Sequence, residues 1–583
     1  MTHWSWRGVS VLLLMLLQTP AFARIVIDVR GVSGPERENV LTFLSVERNK
    51  DRRDLDADTV QRMFNRIDEE IGNALRPFGF YAPQIESAYR EEGQDWRVDI
   101  TITPGTPVTL EAVNLTIEGP GADSGIFDSM RAQTMLVAGN RLLHADYDRV
   151  RNELTRIAES NGYLDARLLQ NQLLVDADAH TARVDLRLST GDQYHFGEVT
   201  IQQSVIRPDL MERFLRFRTG EAYSTDLLLR TQFALDDSLY FANLEVVPGA
   251  RDPETLSVPI SITADRGRRR LTFSLGYGTD TATRGTVGWI DSRVNDRGHR
   301  FRSEIRASSI QRSAEARYDI PIGDPALEKF SLLALVQREE RADVQTVENS
   351  LTPSLTQVFG RWQRVISLGL THTTTDDGAL NSTANLLVPG IAFARVPQGF
   401  LGETLFTRPF FIELKGSHSA LGSDSDFLQL HIQAERAIAL WPKWSMLLRA
   451  ELGASTVRNF EELPGIYRFF AGGDRSVRGF GYDSLSPEVQ VLQPDGSIAF
   501  KKTGGRHLAI GSAELVRELP RNLAISAFVD AGNAFNEWGD KLEYSAGVGM
   551  RFRLPGISLG IDIAQPLSQN GSPRLHLNIS PQL

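Results

Sequence analysis

The sequence contains no cysteine, and it has only 10 histidines among its 583 residues. The absence of cysteine excludes disulfides, thiolate metal sites and cysteine nucleophiles. A clustered basic surface is also missing, because the formal net charge is −10 and the one dense basic run, residues 266–270, is short. Nucleic-acid binding requires a concentrated Lys and Arg face against the phosphate backbone. The composition therefore argues against a nucleic-acid partner.

Long hydrophobic runs are scarce as well. The clearest apolar stretch, Val9–Leu17, follows Arg7 and precedes Ala21-Phe22-Ala23. This order is typical of a secretory signal with a small-residue cleavage site. A spanning helix needs about 18 consecutive apolar residues, and no later stretch contains them. We therefore predict a signal peptide at residues 1–23 and an exported chain without a transmembrane helix.

Enzyme signatures are nearly absent too. The sequence has no zinc-protease motif, no P-loop and no dinucleotide fingerprint. Residues 556–560 match G-x-S-x-G, but a nucleophile elbow requires a strand-to-helix turn, and Ser558 lies in a strand pattern between Ile557 and Leu559. We predict no catalytic residues, no metal and no cofactor, so the protein is expected not to be an enzyme.

From residue 24 to about residue 265 the sequence repeats one change of period. A strand-like run, Ile25–Ile27, precedes a helical pattern and an alternating strand that closes at Gly105. The same order recurs before Gly191 and again before Gly267. The repeat predicts β-α-α-β-β modules of the kind that serve as exported docking arms. Their expected ranges are residues 24–105, 106–191 and 192–265.

After Arg266 the helical period disappears and apolar residues alternate with polar ones. One row of the first such strand consists of Leu271, Phe273, Leu275 and Tyr277. Repeated over many strands, this pattern is typical of a barrel with lipid outside, and a large soluble β-sandwich is the alternative. At about 20 residues per strand and turn, residues 266–583 accommodate about 16 antiparallel strands.

The longest interruption of the strand pattern, residues 455–506, contains Val477-Arg478-Gly479-Phe480 in a glycine-dense stretch. Loops of this length are usually functional or disordered. If the loop folds inward, the buried Arg478 guanidinium needs a carboxylate partner. Asp530 offers one, because the apolar row of its strand leaves Asp530 on the lumen side. We predict that Arg478 and Asp530 pair; the alternative is an exposed Arg478, with Asp530 capping a turn.

Two motifs carry a resemblance to a known family. Val477-Arg478-Gly479-Phe480 resembles the V-R-G-F/Y signature of the outer-membrane assembly and transport superfamily, and Phe528–Gly532 is similar to its F-x-D-x-G strand motif. Members carry polypeptide-transport-associated (POTRA) modules before a 16-stranded barrel, and their two motifs pair through the arginine and the aspartate. Three modules, rather than five or two, favour the translocation and assembly module branch.

The resemblance fixes the expected fold, location and latch. The fold is α+β in three POTRA modules and all-β in a 16-stranded antiparallel transmembrane barrel, which lies in the outer membrane with the modules in the periplasm. The implied loop latch consists of Val477, Arg478, Gly479 and Phe480, and its implied partner of Phe528, Asp530 and Gly532.

A closed barrel must pair its first strand with its last, which here form a lateral seam. Pro573 and Pro581 flank the last strand and donate no backbone N–H, and Gly276 and Gly278 weaken the first strand. The predicted seam residues are Leu271, Phe273, Leu275, Gly276, Tyr277, Arg574, Leu575, Leu577 and Ile579. An opened seam exposes two strand edges, and an edge is a template for adding another strand.

These features predict a protein that inserts client β-barrel or autotransporter-type outer-membrane proteins by strand pairing at the seam. Outer-membrane lipids surround the expected barrel. The resemblance also implies a TamB-like periplasm-spanning partner that docks on the modules. The alternative is a two-partner-type secretion pore, which passes an exported polypeptide through the barrel lumen.

Overall fold

The computed structural model describes residues 24–52, 55–93, 95–378, 380–396, 409–493, 496–554 and 557–581. The predicted signal peptide, residues 1–23, lies outside the described residues. Within those ranges, no helix is both long enough and apolar enough to cross a bilayer.

The first module is a three-stranded sheet covered by short helices. Its elements are β1 (Ile25–Arg30), α1 (Gly34–Phe43), α2 (Ser45–Arg48), α3 (Ala57–Phe64), α4 (Ile67–Leu75), β2 (Gln84–Glu92) and β3 (Asp95–Thr103). β1 runs parallel to β3, and β2 runs antiparallel to β3. The described helical part has four α-helices where the repeat predicted two. The apolar period continues across the break because α3 and α4 both face the same core.

The second and third modules have the same strand order as the first, with the last strand in the centre of each sheet. The second contains β4 (Thr109–Glu118), α5 (Asp128–Gln133), α6 (His144–Ser160), β5 (Arg167–Asp176) and β6 (Thr181–Ser189). The third contains β7 (His195–Gln202), α7 (Pro208–Glu212), α8 (Thr225–Asp237), β8 (Phe241–Pro248) and β9 (Ser257–Arg266). In α6 the residues Tyr147, Val150 and Leu154 are buried, as their helical spacing predicts.

The remaining strands close into a 16-stranded antiparallel barrel. Its first eight strands are β10 (Arg270–Gly278), β11 (Ala282–Asp291), β12 (Arg300–Ala307), β13 (Gln311–Pro321), β14 (Glu328–Arg341), β15 (Val344–Phe359), β16 (Trp362–Asp376) and β17 (Asn381–Arg395). Next come β18 (Phe410–Ser417), β19 (Phe427–Trp441) and β20 (Trp444–Val457). A long loop follows, which contains the hairpin strands β21 (Glu488–Leu492) and β22 (Ile498–Lys502). The barrel then continues with β23 (His507–Leu519), β24 (Leu523–Phe535), β25 (Glu543–Leu554), β26 (Ile557–Pro566) and β27 (Arg574–Pro581).

The predicted apolar row of the first barrel strand faces outward. Leu271, Phe273, Leu275 and Tyr277 are 43–72% exposed. Polar residues occupy the opposite rows, and Glu304, Thr373 and Asp530 are buried inside the barrel. A closed barrel with apolar residues outside and polar residues inside agrees with the barrel prediction and excludes the soluble sandwich.

Candidate functional site

The loop between β20 and β23 packs its central part into a hydrophobic cluster. Val477 and Phe480 of the loop are buried there beside Leu508 and Ile510 of β23. Both strand residues lie near the start of β23, so this part of the loop packs against the barrel wall where the next strands begin. The glycine-dense stretch is therefore a packed element of the barrel interior.

Arg478 is the charged centre of this loop, with a side chain only 1% exposed. Its Nε donates to Asp530 Oδ2 at 2.8 Å, and its Nη2 donates to Asp530 Oδ1 at 2.9 Å. The backbone N–H of Arg478 also donates to Asp530 Oδ2 at 3.1 Å. This is the bidentate geometry expected of an arginine and a carboxylate. The structure therefore places the two predicted side chains in contact, in the lumen and not at the surface.

Three further groups complete the surroundings of Arg478. Its Nη1 donates to Glu514 Oε2 at 2.9 Å and lies 3.6 Å from Asp562 Oδ2. Its Cζ lies 3.3 Å from the centroid of the Phe528 ring, which is a cation–π contact. A buried guanidinium without such partners would be strongly destabilising. The Arg478 side chain thus contacts three strands of the barrel, β23, β24 and β26.

The acids around Arg478 have further cationic partners. Arg551 Nη2 donates to Asp562 Oδ2 at 2.8 Å, and Arg449 Nη2 donates to Ser512 Oγ at 3.1 Å. Ser512 in turn donates to Asp530 Oδ1 at 2.6 Å. Glu514, Asp562 and Arg449 lie outside the two sequence motifs. Their place on lumen rows was a usable signal, but their proximity depends on strand register.

Gly479 and Gly532 have different places in this site. Gly479 has φ of +92°, and a Cβ on it would lie 3.2 Å from Ser545 Cβ and 3.3 Å from the backbone N of Pro566. Position 479 therefore favours glycine in both conformation and space. Gly532 lies farther along β24, opposite Ile510 of β23 and Glu543 of β25.

Two other arginines hold the same loop, and sequence reasoning missed both. Arg468, with a side chain 2% exposed, donates from Nη1 to Asp377 Oδ2 at 2.9 Å. Arg341 at the end of β14 donates from Nε to Asp483 Oδ2 at 2.9 Å. Neither lies in a recognisable motif, so no local pattern predicts their contacts with the loop. The loop is consequently attached to both sides of the barrel.

The lateral seam is shorter than the sequence suggested. β10 and β27 share two register pairs, Tyr277 with Ile579 and Gly278 with Asn578. Extending this antiparallel register places Leu275 opposite Pro581, where β27 ends. Among the described residues, Leu271, Phe273, Leu275 and Gly276 of β10 share no register pair with β27.

The remaining predicted seam residues belong to β27 but contact other groups. Leu577 pairs with Ile561 of β26, and its carbonyl accepts from Thr279 N at 3.0 Å. Leu575 pairs with Ile563, and Arg574 pairs with Ala564. The Arg574 guanidinium approaches Gly481 of the loop, where a Cβ would lie 2.7 Å from Nη1. β27 is thus fully paired on its β26 side and barely paired on its β10 side.

One group of side chains among the described residues has donor atoms close enough to hold a metal ion, namely Asp280, Asp474 and His576. These residues come from the turn after β10, from the long loop and from β27. They lie directly at the seam between β10 and β27.

Three sheet-and-helix modules before a closed barrel with an internal arginine latch define a class of outer-membrane protein. Comparison with known proteins points to the same class. Residues 260–580 match the family described as Omp85 superfamily domain, and residues 26–104 match the POTRA domain TamA domain 1. The chain belongs to the Omp85 superfamily. Its barrel lies in the outer membrane and its POTRA modules lie in the periplasm. The match of the first module is consistent with a resemblance to TamA, the outer-membrane protein of the translocation and assembly module.

Individual relatives are more distant. The outer membrane protein assembly factor BamA of Nitratidesulfovibrio vulgaris is 26% identical over 428 residues, which cover 69% of this chain and 52% of the relative. BamA of Buchnera aphidicola is 18% identical over 259 residues, covering 43% of this chain and 41% of the relative. The chain thus spans about half the length of the curated relatives that it matches.

A solved structure supports the fold. BamA from Haemophilus ducreyi lacking POTRA domains 1–3 aligns with a TM-score of 0.61 at 15% identity. The alignment covers 81% of this chain and 99% of that chain. At this identity the likeness concerns the fold alone.

Proposed function

We propose that this protein inserts client β-barrel or autotransporter-type proteins into the outer membrane by pairing their strands at the seam between β10 and β27. The observation that carries the proposal is the seam itself, which has two register pairs. Membership of the Omp85 superfamily and likeness to BamA, an assembly factor, support the broader role in outer-membrane assembly or secretion.

The physical argument rests on exposed backbone groups. A strand edge carries unpaired N–H and C=O groups, and in lipid each unpaired group costs several kcal/mol. Within the part of the chain that the structure describes, β10 shares no register pair with β27 before Tyr277. An incoming client strand can pair with such an edge through main-chain hydrogen bonds alone, independent of its sequence. The reaction needs no covalent step, so the protein lowers a barrier without acting as an enzyme.

The loop latch has a supporting role in this proposal. Arg478 links the loop to β23, β24 and β26, the strands that lead to the seam. Holding these strands rigid leaves β10 and β27 as the place where the barrel yields. The latch therefore directs opening to one strand pair.

The modules and the outer surface supply the proposed partners. Each module sheet has its last strand in the centre and two strands at its edges, and an edge strand is the kind to which another chain can add. We assign to these modules the docking of client proteins and of a TamB-like periplasm-spanning partner. Outer-membrane lipids contact the outward apolar rows, such as that of Leu271, Phe273 and Leu275.

A disulfide across the seam tests the proposal. Thr279 N donates to Leu577 O, so the adjacent pair of Gly278 and Asn578 is a non-hydrogen-bonded pair with the closer Cα spacing. Cysteines placed there meet the geometric needs of a disulfide, and the chain has no other cysteine. We expect oxidised Gly278→Cys/Asn578→Cys to lose assembly of a client barrel in reconstituted vesicles, and reductant to restore it.

The matched control locks a strand pair far from the seam. Leu370→Cys with Leu387→Cys joins β16 to β17 at a register pair on the outer face. This lock should leave assembly unchanged in both redox states. Full assembly by the completely oxidised seam variant would overturn strand pairing at the seam.

The alternative is a secretion pore that passes a polypeptide through the lumen. The buried position of the loop disfavours it, because Val477, Arg478 and Phe480 fill the interior beside β23. Conductance of the purified barrel in a planar bilayer separates the two functions. A plugged insertase should give little steady current, whereas a large steady current would favour the pore.

A further inference from the structure

The end of the seam carries a group of side chains that joins three separate parts of the chain. Asp280 lies in the turn after β10, Asp474 lies in the loop shortly before the latch, and His576 lies in β27. In the sequence β10 follows the third module, which is periplasmic, so the turn after β10, which contains Asp280, lies at the extracellular end of the barrel. The group therefore sits where the first strand, the last strand and the loop meet.

Hydrogen bonds link the turn after β10 to the loop, and the loop to β27. The backbone N–H of Asp474 donates to Asp280 Oδ2 at 2.6 Å. His576 Nδ1 contacts Asp474 Oδ1, and the backbone N–H of Gly479 donates to His576 Nε2 at 3.0 Å. Gly479 belongs to the loop latch, so His576 connects the last strand to both ends of this loop segment. A single side chain of β27 thus contacts the latch and the Asp474 turn.

The hydrogen bond from Gly479 to His576 determines which nitrogen of the neutral His576 ring carries the proton. A backbone N–H can only donate, so His576 Nε2 accepts, and the neutral ring carries its proton on Nδ1. That proton points at Asp474. A metal ion on Nδ1 would require the proton to move to Nε2, where it would oppose the N–H of Gly479. The arrangement therefore fits a set of hydrogen bonds and not a metal centre.

Backbone contacts strengthen the same junction. Thr279 N donates to Leu577 O at 3.0 Å, and Leu577 N donates to Thr279 Oγ1 at 3.2 Å. Gly473 approaches closely as well, because a Cβ on it would lie 2.6 Å from Asp280 Oδ2. The φ of Gly473 is +101°, which also favours glycine. These contacts continue the seam beyond its two register pairs.

Other charged groups face His576 from neighbouring elements. Asp562 of β26 is its register partner and is bound by Arg551 of β25 and by Arg478 of the loop. On the other side of the seam, Arg284 of β11 donates to Asn578 at 3.1 Å. The acids Asp280 and Asp474 are therefore the carboxylates that reach His576 across the seam and from the loop.

We propose that Asp280, Asp474 and His576 form a clasp that holds the extracellular end of the seam closed and couples its opening to movement of the long loop. They are positioning residues, because they act through β10, β27 and the loop and touch no client. The inference rests on the proposed function only in assigning a use to the opening. In this arrangement β27 can separate from β10 only after the loop releases either His576 or Asp280.

The distance across the seam measures the clasp without any client. Spin labels on Thr283→Cys in β11 and Ile561→Cys in β26 flank the seam, since these residues are the register neighbours of Tyr277 and Leu577. Pulsed electron paramagnetic resonance on the full chain in phosphatidylcholine vesicles then reports closed and open populations. We expect His576→Ala and Asp474→Ala each to raise the ratio of open to closed seam about tenfold, the effect of losing one charge-assisted hydrogen bond.

Conservative variants separate positioning from general damage. His576→Asn keeps a donor near the Nδ1 position, and His576→Gln keeps an acceptor near Nε2. Each should recover part of the closed population, whereas His576→Ala should not. The matched control is His372→Ala, a histidine of β16 that bonds Asn385 on the outer face. It should leave the distance distribution unchanged.

Three outcomes would overturn the clasp. One is an unchanged distance distribution in His576→Ala and Asp474→Ala, and another is equal opening in His372→Ala. The third is a shift on adding EDTA to the unsubstituted protein, which would replace the hydrogen bonds by a bound metal. The proposed function fails separately: if the clasp variants open the seam but a disulfide-locked seam still assembles clients, the clasp stands and insertion at the seam does not.

Discussion

Two strand pairs in the same barrel differ greatly in how they are held. β16, which has 15 residues, pairs with β17 along its whole length. β10 and β27 share two register pairs. An intramolecular hydrogen bond contributes about 0.5–1.5 kcal/mol to stability, and the cost of an unmade bond is higher in lipid. Backbone hydrogen bonds alone therefore hold β16 and β17 firmly together, whereas they hold β10 and β27 only weakly.

Side chains compensate at the seam for what the backbone lacks. On the β16 side, Asp377 anchors the loop through Arg468. On the seam side, the loop reaches β27 through Gly479 and His576 and reaches the turn after β10 through Asp474 and Asp280. A ladder of backbone bonds separates only when many bonds break together. A few side-chain contacts can break one at a time. The seam and the β16–β17 pair therefore differ in how they separate as well as in how strongly they are held.

The largest expected change comes from removing the loop's central charge. Arg478→Ala leaves Asp530 and Glu514 buried without their partner, and breaking a buried ion pair costs about 3–5 kcal/mol. Amide hydrogen exchange should accelerate in β23, β24 and β27 and remain slow in β16 and β17. Equal acceleration on both sides of the barrel would contradict the distinction between them.

A matched control for Arg478 lies on the neighbouring strand. Arg517 of β23 faces outward and is exposed, with its guanidinium over the Trp444 ring. Arg517→Ala should change stability by no more than about 0.5 kcal/mol, as expected for surface positions. Charge exchange, Arg478→Asp with Asp530→Arg, should restore little, because Glu514 and Asp562 would face the new aspartate.

A smaller effect is expected from Gly479→Ala. The added methyl would meet Ser545 and Pro566, and φ of +92° is strained for alanine, so we expect a cost of about 1–3 kcal/mol. The displaced N–H should also lose His576, so exchange should accelerate at the seam more than elsewhere. Gly511→Ala is the control, since a Cβ there has no neighbour within 4 Å. Similar exchange in the two variants would show that the close fit of Gly479 does not matter.

The smallest predicted effect is a pH dependence. Burial, with the nearby Asp474 carboxylate, raises the pKa of Asp280 in its turn to about 6. The folded protein therefore holds a proton that the unfolded chain releases near its ordinary pKa of about 3.9. Stability from this group is present at low pH and is lost as the pH rises through about 6. The thermal midpoint in micelles should rise slightly from pH 7 to pH 5.

Substituting the group isolates its contribution. Asp280→Asn cannot titrate, so the difference in thermal midpoint between the unsubstituted protein and this variant should change across the same pH range. A constant difference from pH 7 to pH 5 would contradict the raised pKa. A difference of opposite sign would point to another titrating group at the seam.

Local sequence patterns predicted most of the fold. Alternation with a period of two residues predicted the outward row of Leu271, Phe273 and Leu275, and the same rule placed Asp530 on the lumen side. Helical spacing predicted the buried face that contains Tyr147 and Leu154. These predictions succeed because each depends on residues that are close in sequence.

Local periodicity could not predict contacts between residues that are far apart in the sequence. Asp562 meets Arg478, and His576 meets Asp474, only because the register of β26 and β27 brings them to one level. The length of the seam is a second example, because the pairing of β10 with β27 decides how many residues of the first strand have a partner. Sequence identifies which side chains point inward, but register decides which of them meet.

The surroundings of Arg478 also bear on how the barrel unfolds. Its partners Glu514, Asp530 and Asp562 all follow it in the chain, on strands that come after the loop. An arginine enclosed without these carboxylates would be strongly unfavourable, and so would the carboxylates without the arginine. The loop and the strands β23, β24 and β26 therefore depend on each other for stability. We expect them to unfold together as one cooperative unit, separately from strands such as β16 and β17.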